Sequence, residues 1–96
     1  MRRPPLTFYR LSPKYNSLLE FGELYDLVMA CLGQVMRDLN QAERRDFGDW
    51  IGAIGRKIAQ GLPFFIVTAK VPTEIEGLVE ARFKNFGIEF EKTNEE

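Results

Sequence analysis

Apolar positions along the chain follow two different periods. "LTFYRL" (residues 6–11) and "FFIVTAKV" (residues 64–71) are short runs rich in aromatic and β-branched residues, the pattern of strands. Between them the spacing turns helical. Leu24, Val28, Cys31 and Val35 fall on one stripe, and Phe21, Leu32 and Leu39 widen it. So broad an arc predicts a helix buried on more than one side, with Met29 and Met36 further round toward the surface. Phe47, Ile51, Ile54 and Ile58 repeat the helical spacing and predict a second helix over residues 41–60, with Trp50 at the edge of its stripe. Ile75, Leu78, Val79, Phe83 and Phe86 predict a third. "IEFEK" from Ile88 alternates apolar and acidic residues, as a half-exposed closing strand does.

Punctuation between these runs is clear. Ser17 with Glu20, Asn40 with Glu43 and Thr73 with Glu76 each have capping-box spacing at a helix start. Pro13 in "SPKYN" marks a turn, Gly61 with Pro63 stops the second helix, Pro72 ends a strand and Gly87 closes the third helix. "MRRPP" reads as a flexible arm over residues 1–5, and residues 93–96 read as a tail. The expected architecture is one α+β domain in the order β-α-α-β-α-β, a three-stranded sheet with helices on one face. The continuously apolar "FFIV" suits a central strand covered on both faces. Residues 64–90 form a strand–helix–strand unit, whose crossover is right-handed if its strands are parallel neighbours.

One stretch resists this pattern. "DFGDWIGAIGRK" places Gly48, Gly52 and Gly55 inside the expected second helix, each costing a helix interior about 1 kcal/mol relative to alanine. On a helical wheel Gly55, Gly48, Ala59 and Gly52 fall about 80–140° from Phe47, beside the apolar stripe. Such a strip of small residues lets another backbone approach closely. That backbone belongs either to this chain or to a partner, or the glycines are merely tolerated.

Composition narrows the chemistry. Formal net charge is -1, without the basic excess of many nucleic-acid binders. Arg2, Arg3, Arg10 and Lys14 stand near the start, and Glu89, Glu91, Glu95 and Glu96 near the end. The chain has no histidine, which removes Ser-His and Cys-His nucleophile pairs and the usual zinc sites. Its single cysteine, Cys31, lies on the core stripe. Asp46 with Asp49, and Glu74 with Glu76, read as solvated helix faces or first-turn charges. Arg44, Arg45, Arg56 and Lys57 read as a salt-bridge network, with a phosphate-binding patch as the alternative, and Arg82 as a side chain laid across the apolar side of the third helix, with a buried ion pair as the alternative. No metal or cofactor site is expected. Neither a signal peptide nor a membrane span is read in the sequence, so a cytoplasmic protein is expected.

"LNQAERRDFGDWIGAIGRKIAQG" and "VPTEIEGLVEARFKNFGIEFEK", in the expected order of elements, resemble a small α/β fold shared by two families. These are the ClpS adaptor of the Clp protease and the C-terminal domain of the bacterial ribosomal stalk protein. The likeness covers the order of elements throughout and the residue pattern over about half the chain. In ClpS an Asn-Asp motif before the first helix and a histidine from the second bind an N-terminal degron. Here that loop reads "LSPKYN" and histidine is absent, so the resemblance implies the fold and not that recognition.

These readings point to a non-enzymatic protein-interaction module: a small adaptor, accessory factor or inhibitor docking on a larger assembly. The expected surface is helix two with the preceding loop: Gly48, Trp50, Gly52, Gly55 and Arg56, with Lys14 and Tyr15. The alternative is a nucleic-acid- or ribosome-associated module using Arg2, Arg3 and Arg10 of the N-terminal arm with Arg44 and Arg45. The oligomeric state is left open.

Overall fold

Alternation over Leu6–Pro13 makes the first strand, β1, and the wide apolar stripe that follows makes the helix α1 (Phe21–Asp38). The computed structural model describes residues 3–13, 21–57 and 65–93. After α1 come α2 (Gln41–Phe47), a 3₁₀ turn (Gly48–Trp50), β2 (Gly52–Lys57), β3 (Phe65–Pro72), a second 3₁₀ turn (Thr73–Ile75), α3 (Glu76–Asn85) and β4 (Ile88–Thr93). The four strands form one sheet in the order β2-β3-β1-β4, and every neighbouring pair is antiparallel. β3 and β4 therefore run the same way with β1 between them, and β1 and β2 run the same way with β3 between them. Two interlocked βαβ units of this kind make the ferredoxin-like, or split βαβ, arrangement.

This corrects the three-stranded β-α-α-β-α-β expectation. The class, α+β in one domain, is as expected, but the sheet has a fourth strand and the two strands flanking α3 are not neighbours. The added strand is β2, which lies inside the stretch read as the second helix. Asn40 opens α2 as expected: its Oδ1 accepts from Glu43 N–H at 2.8 Å, and Glu43 Oε1 accepts from Asn40 N–H at 3.0 Å. The helix then ends after seven residues, with Gly48 as its C-cap. Beyond the turn, Gly52–Lys57 pairs with β3, from Gly52 opposite Lys70 to Lys57 opposite Phe65. Three glycines would weigh against helix by about 3 kcal/mol together. The isoleucine at 54 is no handicap in a strand. Among its described residues, the segment likened above to a second helix is thus α-helical only through Phe47.

α1 and α3 cover one face of the sheet. Tyr9 and Leu11 of β1, Val67, Ala69 and Val71 of β3 and Ile88 of β4 are buried in one cluster with Leu24, Val28, Cys31, Leu32, Val35 and Leu39 and with Ile75, Val79 and Phe83. The α1 and α3 stripes are the ones the spacing predicts. Met29 is exposed and Met36 half-buried. β3 departs from expectation: Val67, Ala69 and Val71 are buried while Thr68 and Lys70 between them are only half-buried, so one face of this strand is covered and not both.

Thr73 and Glu76 do not form the expected capping box. The Thr73 segment is a 3₁₀ turn, and its side chain reaches β1 instead. Pro5 anchors the segment before β1, its carbonyl accepting from Thr73 N–H at 2.9 Å. Ser17 with Glu20, the stop at Gly61 and Pro63, Ile58, Ala59, and the ends at residues 1–2 and 94–96 lie outside the described residues.

α3 closes as the sequence indicates. Phe86 N–H donates to Arg82 C=O at 3.0 Å, and Gly87 follows in the left-handed region at φ 69. An L side chain there is strained. Gly87→Ala is expected to lower stability by about 1–2 kcal/mol with an unchanged urea m-value, measured by urea denaturation.

Candidate functional site

The covered side of the sheet spends its polar groups internally. Thr7 donates to Glu76 Oε2 at 3.0 Å. Its one proton being used there, the 2.9 Å bond between the Thr7 and Thr73 hydroxyls is donated by Thr73. Tyr9 donates to Glu80 Oε2 at 2.8 Å. Lys92 Nζ lies 3.5 Å from Glu76 Oε2 and 3.4 Å from Glu80 Oε2, and these two carboxylates raise its pKa. Burial, and then the hydrogen bond to Glu80, hold the Tyr9 phenol protonated far above its ordinary range. The arrangement ties β1 and β4 to successive turns of α3.

Other ionisable groups are committed in the same way. The Cys31 thiol is buried and pushed up to about 11 by desolvation, so it is a core residue rather than a nucleophile at neutral pH. Arg82 pairs with Asp38 of α1, an ion pair with both side chains largely screened by protein, and that hydrogen bond lowers the Asp38 pKa. Arg82 thus joins two helices rather than simply lying over apolar surface. Arg44 donates to the carbonyls of Met36 at 2.9 Å and Arg37 at 3.1 Å, which caps the end of α1. Arg45 faces its neighbour Asp46 at 3.4 Å in an exposed contact. Among the described residues no group of histidine, cysteine or carboxylate side chains has the grouping needed to hold a metal ion. No helix among them is long and apolar enough to cross a membrane.

The other face of the sheet is different. Register sets Gly52, Lys70, Phe8 and Thr93 in one row across β2, β3, β1 and β4, and Ile54, Thr68, Arg10 and Glu91 in the next. None of these eight residues is buried. Leu6, Phe8 and Trp50 are half-buried but stand outside the core cluster, and Ile54 is 63% exposed. Apart from Met29 on α1, the exposed or half-buried apolar side chains outside the core cluster thus include Leu6 and Phe8 of β1 and Ile54 of β2 on this face, and Trp50 stands two residues before β2 in the chain. Lys70 and Arg10 flank Phe8.

The two edges of the sheet also differ. β4 carries Glu89, Glu91 and Lys92 within six residues, and charge of this kind discourages edge-to-edge pairing. β2 opens with Gly52, Ala53, Ile54 and Gly55, which carry no charge and no proline. Among the described residues no strand pairs with its outer side. This half of the edge lacks the charged residues and proline that usually protect one.

The expected site residues are redistributed by this fold. Gly48, Gly52 and Gly55 share no helix face. Gly48 lies in the 3₁₀ turn, where an added Cβ would sit 3.2 Å from Met36 Cε. By strand alternation Gly55 belongs to the helix-covered face with Ala53, and Gly52 to the open face with Ile54. Only the backbone of Arg56 is described, opposite Ile66. Lys14, Tyr15 and Arg2 lie outside the described residues. Of the alternative basic set, Arg10 is on the open face, Arg3 precedes β1, and Arg44 is taken up by its cap. The sequence reading missed Phe8, Ile54 and Lys70 as one surface. Its signal was present in β1, where Leu6, Phe8 and Arg10 alternate with Thr7, Tyr9 and Leu11. The chain matches no protein-family model, no curated protein and no solved structure.

Proposed function

We propose that the chain is a non-enzymatic protein-binding module, an adaptor, accessory factor or inhibitor that docks on a larger assembly through the open face of its sheet and the edge strand β2. The observation that carries this reading is Ile54. A β-branched residue 63% exposed in the uncharged first half of an edge strand, with no described strand on its outer side, is a hazard that sheet proteins ordinarily suppress. Retaining it on the same open face as Phe8 and Leu6, with β3 between, suits a surface that is covered in use. Trp50 and Gly52 belong to this surface; tryptophan is favoured at interface centres. The non-enzymatic part of the reading rests on the missing histidine and on the internal partners of Tyr9, Glu76, Glu80 and Lys92.

A second reading rests on Phe8. An aromatic ring on a central strand, flanked by Arg10 and Lys70, resembles the stacking platforms of single-stranded nucleic-acid binders. One experiment separates the two. Tagged protein and its Ile54→Asp variant are used to capture partners from the source cell, with and without nuclease. Capture of a protein by the wild type alone, unchanged by nuclease, supports docking. Capture lost on nuclease treatment supports the second reading.

A further inference from the structure

We propose that the outer edge of β2 accepts an extended acidic strand from a protein partner, which presents a carboxylate opposite Gly52 and an apolar side chain opposite Ile54. The inference rests on the docking function proposed above and specifies how the partner is held. Its starting point is Lys70. Register puts Lys70 directly opposite Gly52, and a Cβ built on Gly52 would lie 3.8 Å from Lys70 Cε. The far end of the lysine stem therefore lies over Gly52, a residue of the edge strand itself. Lys70 forms no ion pair or hydrogen bond with any described residue. A lysine at a strand edge that, among the described residues, has neither a pairing strand nor a counter-charge is placed to meet both.

Charge across the sheet agrees. β1, β2 and β3 together hold Arg10, Arg56, Lys57 and Lys70 and no acidic residue. The opposite edge shows how this sheet takes an acidic strand: β4 pairs antiparallel with β1 and sets Glu91 against Arg10. An incoming strand at β2 would repeat that arrangement at the other end, with main-chain hydrogen bonds supplying affinity and alternate side chains supplying specificity. If it continues the antiparallel pattern, its apolar residue comes first and its acidic residue two positions later. A second copy of the chain is a poorer occupant. β2 joined to β2 sets two basic strands together, and β2 joined to β4 of the next copy is a head-to-tail contact, which ends only by closing a ring and otherwise grows into a filament.

The test uses a fluorescein-labelled peptide that alternates threonine with valine and glutamate by turns, so that valine precedes glutamate by two positions. Binding to the full chain is followed by fluorescence anisotropy, and backbone protection by amide exchange. The peptide is expected to bind wild type and to slow exchange in β2. Lys70→Glu should weaken binding on the order of tenfold, with native circular dichroism, and should bind better a peptide in which lysine replaces glutamate. Lys84→Glu, an exposed change on α3, should leave affinity unchanged. No binding, equal affinity for wild type and Lys70→Glu, protection outside β2, or assembly of the chain on itself through β2 would each overturn the proposal. If Lys70→Glu still captures the cellular partner while Ile54→Asp does not, the docking function stands and the acidic strand does not.

Discussion

Phe83→Ala is expected to remove about 3–5 kcal/mol of stability, the range for truncating a buried phenylalanine. Phe83 is fully buried on α3 and meets Tyr9 edge-on, ring centroids 5.3 Å apart at 80°. Phe90 of β4 lies 5.6 Å from Phe83, tilted by 41°, and meets Tyr9 edge-on at 5.5 Å. Three rings from α3, β1 and β4 thus support one another, and no one of them can move into the space left by another without breaking a second contact. Tyr9 is further held by its bond to Glu80, so the cavity cannot readily collapse. A domain of this size has only about 5–15 kcal/mol in total. Urea denaturation should show a large fall in midpoint with the m-value retained. A change below about 1 kcal/mol would contradict the packing described.

Ile54→Asp is expected to do the opposite: leave the fold intact and remove binding. The position is exposed and outside the core cluster, so the change in stability should stay within about 0.5 kcal/mol. At the centre of a docked surface the same change buries an unpaired carboxylate against the partner, and a loss of about 2 kcal/mol or more, roughly thirtyfold in affinity, is expected. The check is the midpoint of unfolding together with partner capture by wild type and variant. A variant that captures as well as wild type would remove Ile54 from the interface.

Much of the covered half of the fold was legible in the sequence, because there period and burial agree. Leu24, Val28, Cys31 and Val35 recur at helical spacing and are buried on α1; Ile75, Val79 and Phe83 do the same over the third helical segment. Asn40 with Glu43 caps, Gly87 terminates, and "IEFEK" alternates as an edge strand should. β2 was illegible because Phe47, Ile51 and Ile54 satisfy a helical spacing that the fold does not use. Phe47 and Ile51 pack against the core, while Ile54 points away on a strand. The glycines were the contrary signal, because their cost in a helix interior is large. The candidate surface was illegible for another reason. It depends on register, which brings Phe8 beside Lys70 across most of the chain and Lys70 beside Gly52 across the hairpin. Composition and spacing carry no register for a strand that is not recognised as one.

The claim on which the account turns is that Gly52–Lys57 is an edge strand with its outer side open. Residue-resolved amide exchange on the protein alone tests it most directly. In an edge strand the amides point by turns toward the neighbouring strand and toward solvent. Alternate slow and fast exchange is expected along β2, with the slow amides directed at β3. A continuous run of protected amides through Gly52 and Gly55, as in a helix, would contradict it.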